Sequence, residues 1–256
     1  MVVKYSDHIQ HYDLDARDMP MPEDMGHFRR SLEKRRFHVI ADLVPYSAAS
    51  CVLDAGCGSG WLTEILSRRG FNVYSLDLGL DSIRRASARI GRVPDMASGS
   101  QVERAVFFTL GDVYRLPYDD RCFDAVVASE ILEHLDRPEA AVQEFSRVIR
   151  PGGILVVSTP YDEEIEYTLC IHCNRKTPVN AHLHSFDEKK IEQMLGGAGF
   201  SLNRTIRFVS RPAERLGLAG LTASLPHSLW RMFDGILCAL FGRQTFMAVK
   251  AIRSGY

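Results

Sequence analysis

The feature that most constrains the fold is a glycine-rich turn between two short apolar runs. Residues 51–53 form an apolar run that predicts a buried strand of a parallel sheet. Three glycines follow at alternate positions, Gly56, Gly58 and Gly60, and residues 61–66 predict the start of a helix. Glycines allow the backbone to approach a ligand, and a helix N-terminus presents free N–H groups. The stretch therefore predicts a nucleotide-type pocket.

The spacing of these glycines argues against a dinucleotide. A dinucleotide-binding turn has the pattern G-x-G-x-x-G, and its last glycine position is held here by Trp61. This disfavours a nicotinamide-dependent reductase. A tight strand–helix turn without any ligand stays open as an alternative at this point.

The acidic residue before the glycines completes a more specific pattern. Asp54 followed by alternating glycines resembles the first motif of the class I S-adenosylmethionine-dependent methyltransferases. The resemblance implies a doubly wound α/β fold and S-adenosylmethionine as co-substrate. It implies contacts to that molecule from the turn, namely Asp54, Gly56, Cys57, Gly58 and Gly60. The alternative from another class is a non-catalytic binding or scaffold protein, which usually loses part of this motif.

Later strand ends extend the resemblance. An acidic residue about twenty positions after the glycine turn can accept hydrogen bonds from both ribose hydroxyls, and Asp77 lies there. Capping of the following helix is the alternative for this side chain. The resemblance also places Leu78 against the adenine, Asp112 on its amino group and the N–H of Val113 on a ring nitrogen.

The run Ser129-Glu130-Ile131-Leu132-Glu133-His134-Leu135 indicates the acceptor class. It resembles small-molecule methyltransferases of quinone pathways and natural products, and it lacks the Asn/Asp-Pro-Pro-Tyr of enzymes that methylate nucleic-acid bases. The resemblance implies that this strand end, with Ser129, faces the sulfonium. Glu130, Glu133 and His134 would share one face of a helix and are the predicted catalytic residues. His134 is either a base for a hydroxyl acceptor or a packing residue.

A possible zinc site lies in an insertion at residues 161–185. Cys170 and Cys173 have the C-x₂-C spacing of a zinc ligand pair, and His182 and His184 follow closely enough to complete a tetrahedron. A structural zinc ion is the preferred interpretation. Two buried or redox-active thiols are the alternative, and a catalytic metal is the least favoured.

The order of predicted elements gives the fold class. Strands alternate with helices over residues 51–158, which requires a parallel doubly wound sheet. The resemblance implies seven strands, with the last (residues 244–252) antiparallel between its neighbours. We expect one domain over residues 1–256: an arm and helix (1–45), a cofactor-binding core (50–160), the insertion (161–185) and an apolar helical lid (211–242).

The lid hypothesis depends on large apolar residues at helical spacing in residues 229–241. Such a helix would roof a hydrophobic or aromatic acceptor pocket, pack on the sheet, make a dimer contact or lie on a membrane. A basic run at residues 29–36 is expected to form a solvated face.

Charge and composition narrow the partners. The formal net charge is −1, so no overall basic field attracts nucleic acid. No apolar run has membrane-spanning length, no signal peptide is evident, and most cysteines lie singly in apolar contexts. We therefore expect a cytoplasmic protein that does not bind nucleic acid. The resemblance implies that it moves a methyl group to an oxygen or nitrogen of a small molecule.

Overall fold

A computed structural model describes residues 24–45, 50–91, 105–169, 174, 176–217, 222 and 224–255. The N-terminal arm, Cys170 and Cys173 lie outside the described residues, so the predictions for them have no structural counterpart.

Seven strands form the main sheet, in the spatial order β3-β2-β1-β4-β5-β9-β8. They are β1 (Cys51–Ala55), β2 (Asn72–Asp77), β3 (Val106–Leu110), β4 (Phe123–Ser129), β5 (Ile149–Pro160), β8 (Phe200–Ser210) and β9 (Gln244–Arg253). The five neighbours from β3 to β5 run parallel, and β9 runs antiparallel to both β5 and β8. The predicted fold class, including the antiparallel last strand, is confirmed.

The helices cover both faces of this sheet. They are α1 (His27–Ala41), α2 (Trp61–Arg68), α3 (Leu80–Ile90), α4 (Pro138–Val148), α5 (Glu188–Gly197), α6 (Arg211–Arg215) and α7 (His227–Phe241). One buried cluster includes Phe145 of α4 and Leu195 of α5. The other includes Ile40 of α1, Leu66 of α2 and Trp230 of α7. Among the described residues, no helix is long and apolar enough to cross a membrane.

The strand order reverses between β1 and β4, because β2 and β3 lie on one side and β5 on the other. In open α/β sheets a ligand crevice forms beyond the carboxyl ends of the strands at such a reversal. The glycine turn follows β1 and the Glu130 region follows β4, so both predicted sites border this crevice.

The basic run on α1 is only in part the solvated face that the sequence predicts, because two of its residues are exposed and two of its arginines are largely buried. Arg35 is only 7% exposed and donates to the carbonyl oxygens of Thr222 and Leu225, at 2.8 and 2.9 Å. Arg36 is also largely buried, and it reaches Glu130 at the end of β4. These two arginines therefore tie α1 to the rest of the fold, which charge patterning alone cannot indicate.

The insertion contains a hairpin that the sequence analysis did not predict. β6 (Tyr167–Leu169) pairs antiparallel with β7 (Lys176–Pro178). A 3₁₀ turn, Val179–Ala181, leads from β7 to His182. The chain after the hairpin thus brings the two predicted histidine ligands beside the residues that follow β4.

Candidate active site

Of the three glycines in the turn after β1, two pack against protein and one faces open space. Gly56, Gly58 and Gly60 all have left-handed φ values, of 75°, 51° and 78°. A Cβ on Gly56 would overlap Ile131, and one on Gly60 would lie 2.8 Å from Cβ of Ala86. A Cβ on Gly58 would meet nothing within 4 Å. The space left by Gly58 is therefore available to a ligand, whereas its two neighbours pack against protein.

Asp77 links this turn to the end of β2. Its Oδ2 accepts from the N–H of Gly58 and its Oδ1 from the N–H of Gly79, both at 2.8 Å. Burial raises the pKa of Asp77, and these backbone hydrogen bonds oppose the shift. The second bond goes to the residue before α3, whose N-terminus has no side-chain cap, so the alternative of helix capping is not what the structure shows. Each carboxylate oxygen has further acceptor capacity, so these bonds do not exclude ribose binding. Leu78 follows, half-buried.

Asp54 lies beneath the turn and not in the crevice. It is 1% exposed, and its Oδ2 accepts from Thr63 Oγ1 at 2.7 Å. Burial, with a contribution from the charge of Asp77, raises the pKa of Asp54 to about 7. The side chain joins β1 to α2, so any part it has in cofactor binding is indirect. Cys57 is likewise buried, and burial raises the pKa of its thiol.

The predicted adenine residues follow β3, beside Asp77. The N–H of Gly111 donates to the backbone oxygen of Asp77 at 3.0 Å, which sets the two strand ends side by side. Asp112 Oδ1 accepts from the N–H of Tyr114 at 2.9 Å, and Val113 is half-buried. The crevice thus has acidic side chains at two adjacent strand ends.

The residues after β4 do not form the predicted helix. Glu130 has a left-handed φ of 53°, and only a 3₁₀ turn, Leu132–His134, follows it. Glu130, Glu133 and His134 therefore do not share one face of a helix, as their spacing had predicted. A strained, non-glycine φ persists only where surrounding contacts enforce it. Here the contacts are an ion pair with Arg36 at 2.9 Å and a hydrogen bond from Ser158 Oγ at 2.9 Å. Ser129 Oγ lies 3.1 Å from the same hydroxyl.

Glu133 is the most unusual side chain of the site. It is 1% exposed, and neither of its carboxylate oxygens has a hydrogen-bond partner among the described residues. Burial, and then the charge of Glu130, raises the pKa of Glu133 well above its ordinary value. A buried polar group without a partner is costly, so it indicates a function or a missing ligand.

Glu133, His134 and His182 bring their ligand atoms within 4.8 Å of one another. One carboxylate and two imidazoles are donors that suit zinc and related divalent ions. The rings of His134 and His182 meet edge to face, with centroids 4.9 Å apart. The structure therefore groups His182 with two predicted catalytic residues, a pairing that sequence spacing did not reveal.

The two predicted histidine ligands face different neighbours. The backbone oxygen of Glu133 accepts from the N–H groups of Leu183 and His184, at 2.7 and 3.2 Å. His182 Nδ1 lies 2.5 Å from Glu163 Oε2, whereas His184 Nε2 lies 2.9 Å from the backbone oxygen of Leu135. The sequence analysis missed Glu163, which lies in an acidic run without a motif.

A cavity of about 480 Å³ adjoins this cluster, in the range of small-molecule sites. Its walls come from the chain after β5, the turn before His182, α6 and the start of β9. The apolar residues Pro160, Ile165 and Val179 contribute to it. No side chain of α7 is among its lining residues, so the lid role of that helix stays a prediction.

Most of the apolar surface of α7 faces solvent. Trp230 and Asp234 are its buried residues, with Asp234 accepting from the N–H of Val209. Its large exposed apolar residues are Leu229, Met232, Phe233, Ile236, Leu240 and Phe241. The predicted alternative of packing on the sheet thus accounts for only one side of the helix.

Known proteins that are similar to this chain in sequence are methyltransferases. Residues 53–157 match a family described as a methyltransferase domain. A ubiquinone biosynthesis O-methyltransferase of Xylella fastidiosa is 36% identical over 129 residues, which cover 50% of this chain and 49% of the relative. A probable S-adenosylmethionine-dependent methyltransferase of Mycolicibacterium smegmatis is 30% identical over 174 residues, covering 67% of this chain and 60% of the relative. The chain thus spans roughly half of such relatives.

A solved structure extends the likeness of the fold. Magnesium protoporphyrin IX methyltransferase from Synechocystis, with bound S-adenosylmethionine, superposes with a TM-score of 0.63 at 17% identity. The superposition covers 99% of this chain and 100% of the other.

Proposed function

Because the chain belongs to the class I S-adenosylmethionine-dependent methyltransferases, we propose that it moves the methyl group of S-adenosylmethionine to a small acceptor. The acceptor atom is an oxygen or a nitrogen. Oxygen is preferred, since the Xylella relative is named an O-methyltransferase of ubiquinone biosynthesis. The same name supports a hydrophobic or aromatic acceptor.

The observation that carries the proposal is the open side of the glycine turn. Gly58 leaves space where a side chain would stand, and its N–H is fixed by Asp77 at the end of the neighbouring strand. A ligand in this space has a backbone turn on one side and an acceptor-only carboxylate on the other. That combination suits the ribose and amino-acid parts of S-adenosylmethionine.

Methyl transfer from a sulfonium needs positioning more than activation. The acceptor oxygen attacks the methyl carbon in line with the breaking C–S bond, and neutral S-adenosylhomocysteine leaves. Holding the two atoms within roughly 3–3.5 Å supplies most of the acceleration. We assign His134 to deprotonation of a hydroxyl acceptor, with Glu133 and Glu130 as the acidic residues behind it.

Two donor sets are proposed for a metal. The first is the predicted structural zinc on Cys170, Cys173, His182 and His184. The second, Glu133, His134 and His182, fits a divalent ion because the Glu133 carboxylate is buried without a partner. With an ion there, His134 would be a ligand in place of the base, and the ion would act as a Lewis acid on a hydroxyl acceptor.

The first experiment is to offer purified protein a panel of phenols, carboxylates and amines and to measure release of S-adenosylhomocysteine. Calorimetry with S-adenosylmethionine should be done alongside. Binding together with turnover on one acceptor class supports the proposal. Binding without turnover on any acceptor supports the non-catalytic binding protein instead, and absence of binding contradicts both.

A further inference from the structure

Three arginines lie together at one wall of the cavity beside His182. β8 ends at Ser210, and α6 begins at once with Arg211 and carries Arg215 at its end. Arg243 precedes β9, and its backbone oxygen accepts from the N–H of Arg211 at 2.9 Å. The end of β8 pairs with the start of β9, so these residues lie at the same end of the two strands.

Two of the three guanidinium groups have no hydrogen-bond or ion-pair partner among the described residues. Arg211 donates to the backbone oxygen of Tyr161 at 2.6 Å, which orients it at the rim. Within the described part of the chain, Arg215 and Arg243 make no side-chain hydrogen bond and no ion pair. Glu214, the acidic residue of α6, accepts instead from Thr245 Oγ1 at 3.3 Å.

The cavity is also lined by acidic residues. They are Glu163, Glu164 and Glu166, in the chain after β5. Glu163 is paired with His182 at 2.5 Å, on the side of the cavity nearest His134. The glutamate nearest the predicted reaction centre is thus paired with a histidine, whereas two of the three arginines have no partner among the described residues.

A guanidinium group presents several donors in one plane, which match the oxygens of a carboxylate or phosphate. Guanidinium groups without partners in a cavity of this size favour a molecule with an anionic group, and the rest of that molecule can extend toward His182.

We propose that the methyl acceptor carries a carboxylate or phosphate group, bound by Arg211, Arg215 and Arg243 in this cavity. The inference rests on the proposed function, because it takes this cavity as the acceptor site.

The test measures binding rather than turnover, so that it is independent of whether the right acceptor is known. The full chain, saturated with S-adenosylhomocysteine, is titrated with 4-hydroxybenzoate, with its neutral methyl ester and with phenyl phosphate. We expect at least one of the two anions to bind about tenfold more tightly than the ester, since hydrogen bonds to charged groups are the stronger ones. An ester that binds as tightly as both anions overturns the inference.

Substitutions test whether the arginines cause the preference for anions over the neutral ester. The double substitution R215Q/R243Q should reduce the preference to within about threefold. It should leave the affinity for S-adenosylmethionine unchanged, because the glycine turn lies at other strand ends. The matched control is Arg204→Gln on β8, outside this cavity, which should keep the wild-type preference. A preference that survives the double substitution also overturns the inference. Failure of the proposed function would show differently, as absent cofactor binding or absent turnover.

Discussion

The guanidinium group of Arg36 lies 2.9 Å from Glu130 Oε2, so the N-terminal helix α1 forms an ion pair with the end of β4. Both side chains are largely buried, and Arg36 also contacts Glu33 at 2.5 Å. Burial lowers the pKa of Arg36, but the charges of Glu130 and Glu33 outweigh it and raise the pKa. The pair supports the strained backbone of Glu130 from below the crevice.

Replacing Arg36 by Met should destabilise the fold, because it leaves the Glu130 carboxyl buried without its cation. Breaking a buried ion pair costs about 3–5 kcal/mol, which for a chain of this size lowers the Tm by roughly 6–20 °C. Calorimetry or thermal circular dichroism measures this. The double variant R36M/E130Q should recover part of the loss. A single variant as stable as the wild type would show that the pair contributes nothing.

Gly58→Ala and Gly60→Ala should separate ligand binding from folding. The added methyl group on Gly58 enters open space, so the protein should fold with only a backbone penalty of about 1 kcal/mol and lose affinity for S-adenosylmethionine. The methyl group on Gly60 would lie 2.8 Å from Cβ of Ala86, so this variant should lose stability first. Equal losses of affinity and Tm in both variants would contradict the assignment.

Asp77→Ala should weaken binding of S-adenosylmethionine at least tenfold, as two hydrogen bonds to a charged acceptor contribute about 1.5–3 kcal/mol each. Part of the loss will come from the turn, because Gly58 and Gly79 lose their acceptor. Asp77→Asn keeps one acceptor oxygen and serves as the matched variant. Calorimetry that finds an unchanged affinity in Asp77→Ala would exclude the ribose role.

Asp54 should make stability fall as the pH rises. Its pKa is raised from 3.8 to about 7 in the folded state, so the folded protein holds this proton more tightly than the unfolded chain. The free energy of unfolding should decline between about pH 4 and pH 7, by up to roughly 1.4 kcal/mol per pH unit. Asp54→Asn should make this slope shallower, and the remainder comes from other buried carboxyl groups with raised pKa values, among them Asp77 and Glu133. Thr63→Val deletes the hydrogen bond that lowers the pKa of Asp54. In this variant the decline in stability should therefore extend above pH 7. An identical slope in all three proteins would refute the assignment.

His134→Ala should lower turnover by about 10²–10⁴-fold with little loss of cofactor affinity if the imidazole is the base. Steady-state kinetics with the acceptor found in the panel measure this. A smaller loss, or one that disappears at high pH with an acceptor that ionises unaided, would assign His134 to positioning.

Metal analysis of protein purified without a histidine tag should find about one zinc ion per chain. Loss of the ion in C170S/C173S would assign it to the predicted structural site. Loss in Glu133→Gln, with retention in the cysteine variant, would assign it to the cluster with His134 and His182. Metal-free protein with full activity would end both hypotheses.

Much of the fold could be predicted because it depends on local signals. The apolar runs, the glycine turn and the resemblance in residues 51–158 located the parallel strands, and the antiparallel last strand followed from the resemblance. The turn after β4 could not be predicted, because the φ of Glu130 is enforced by its contact with Arg36. Arg36 lies 94 residues earlier in the chain. An isolated sequence window favours a helix there.

Dependence on contacts between residues far apart in the sequence also limits prediction of the site. His182 and Glu133 meet because backbone N–H groups after His182 bond to the carbonyl of Glu133. No spacing rule connects residues so far apart. The burial of Arg35 was also missed, because its partners are carbonyl oxygens that carry no sequence signal.

The position of β9 has a consequence for synthesis on the ribosome. The strands β1 to β5 can pair with one another as soon as they have left the exit tunnel. β8 cannot join them, because its place in the sheet is next to β9, which is translated later. The crevice around Gly58 and Asp77 can therefore form on the nascent chain before the arginine wall exists. The half proposed to hold the methyl donor is built first, and the half proposed to select the acceptor is added last.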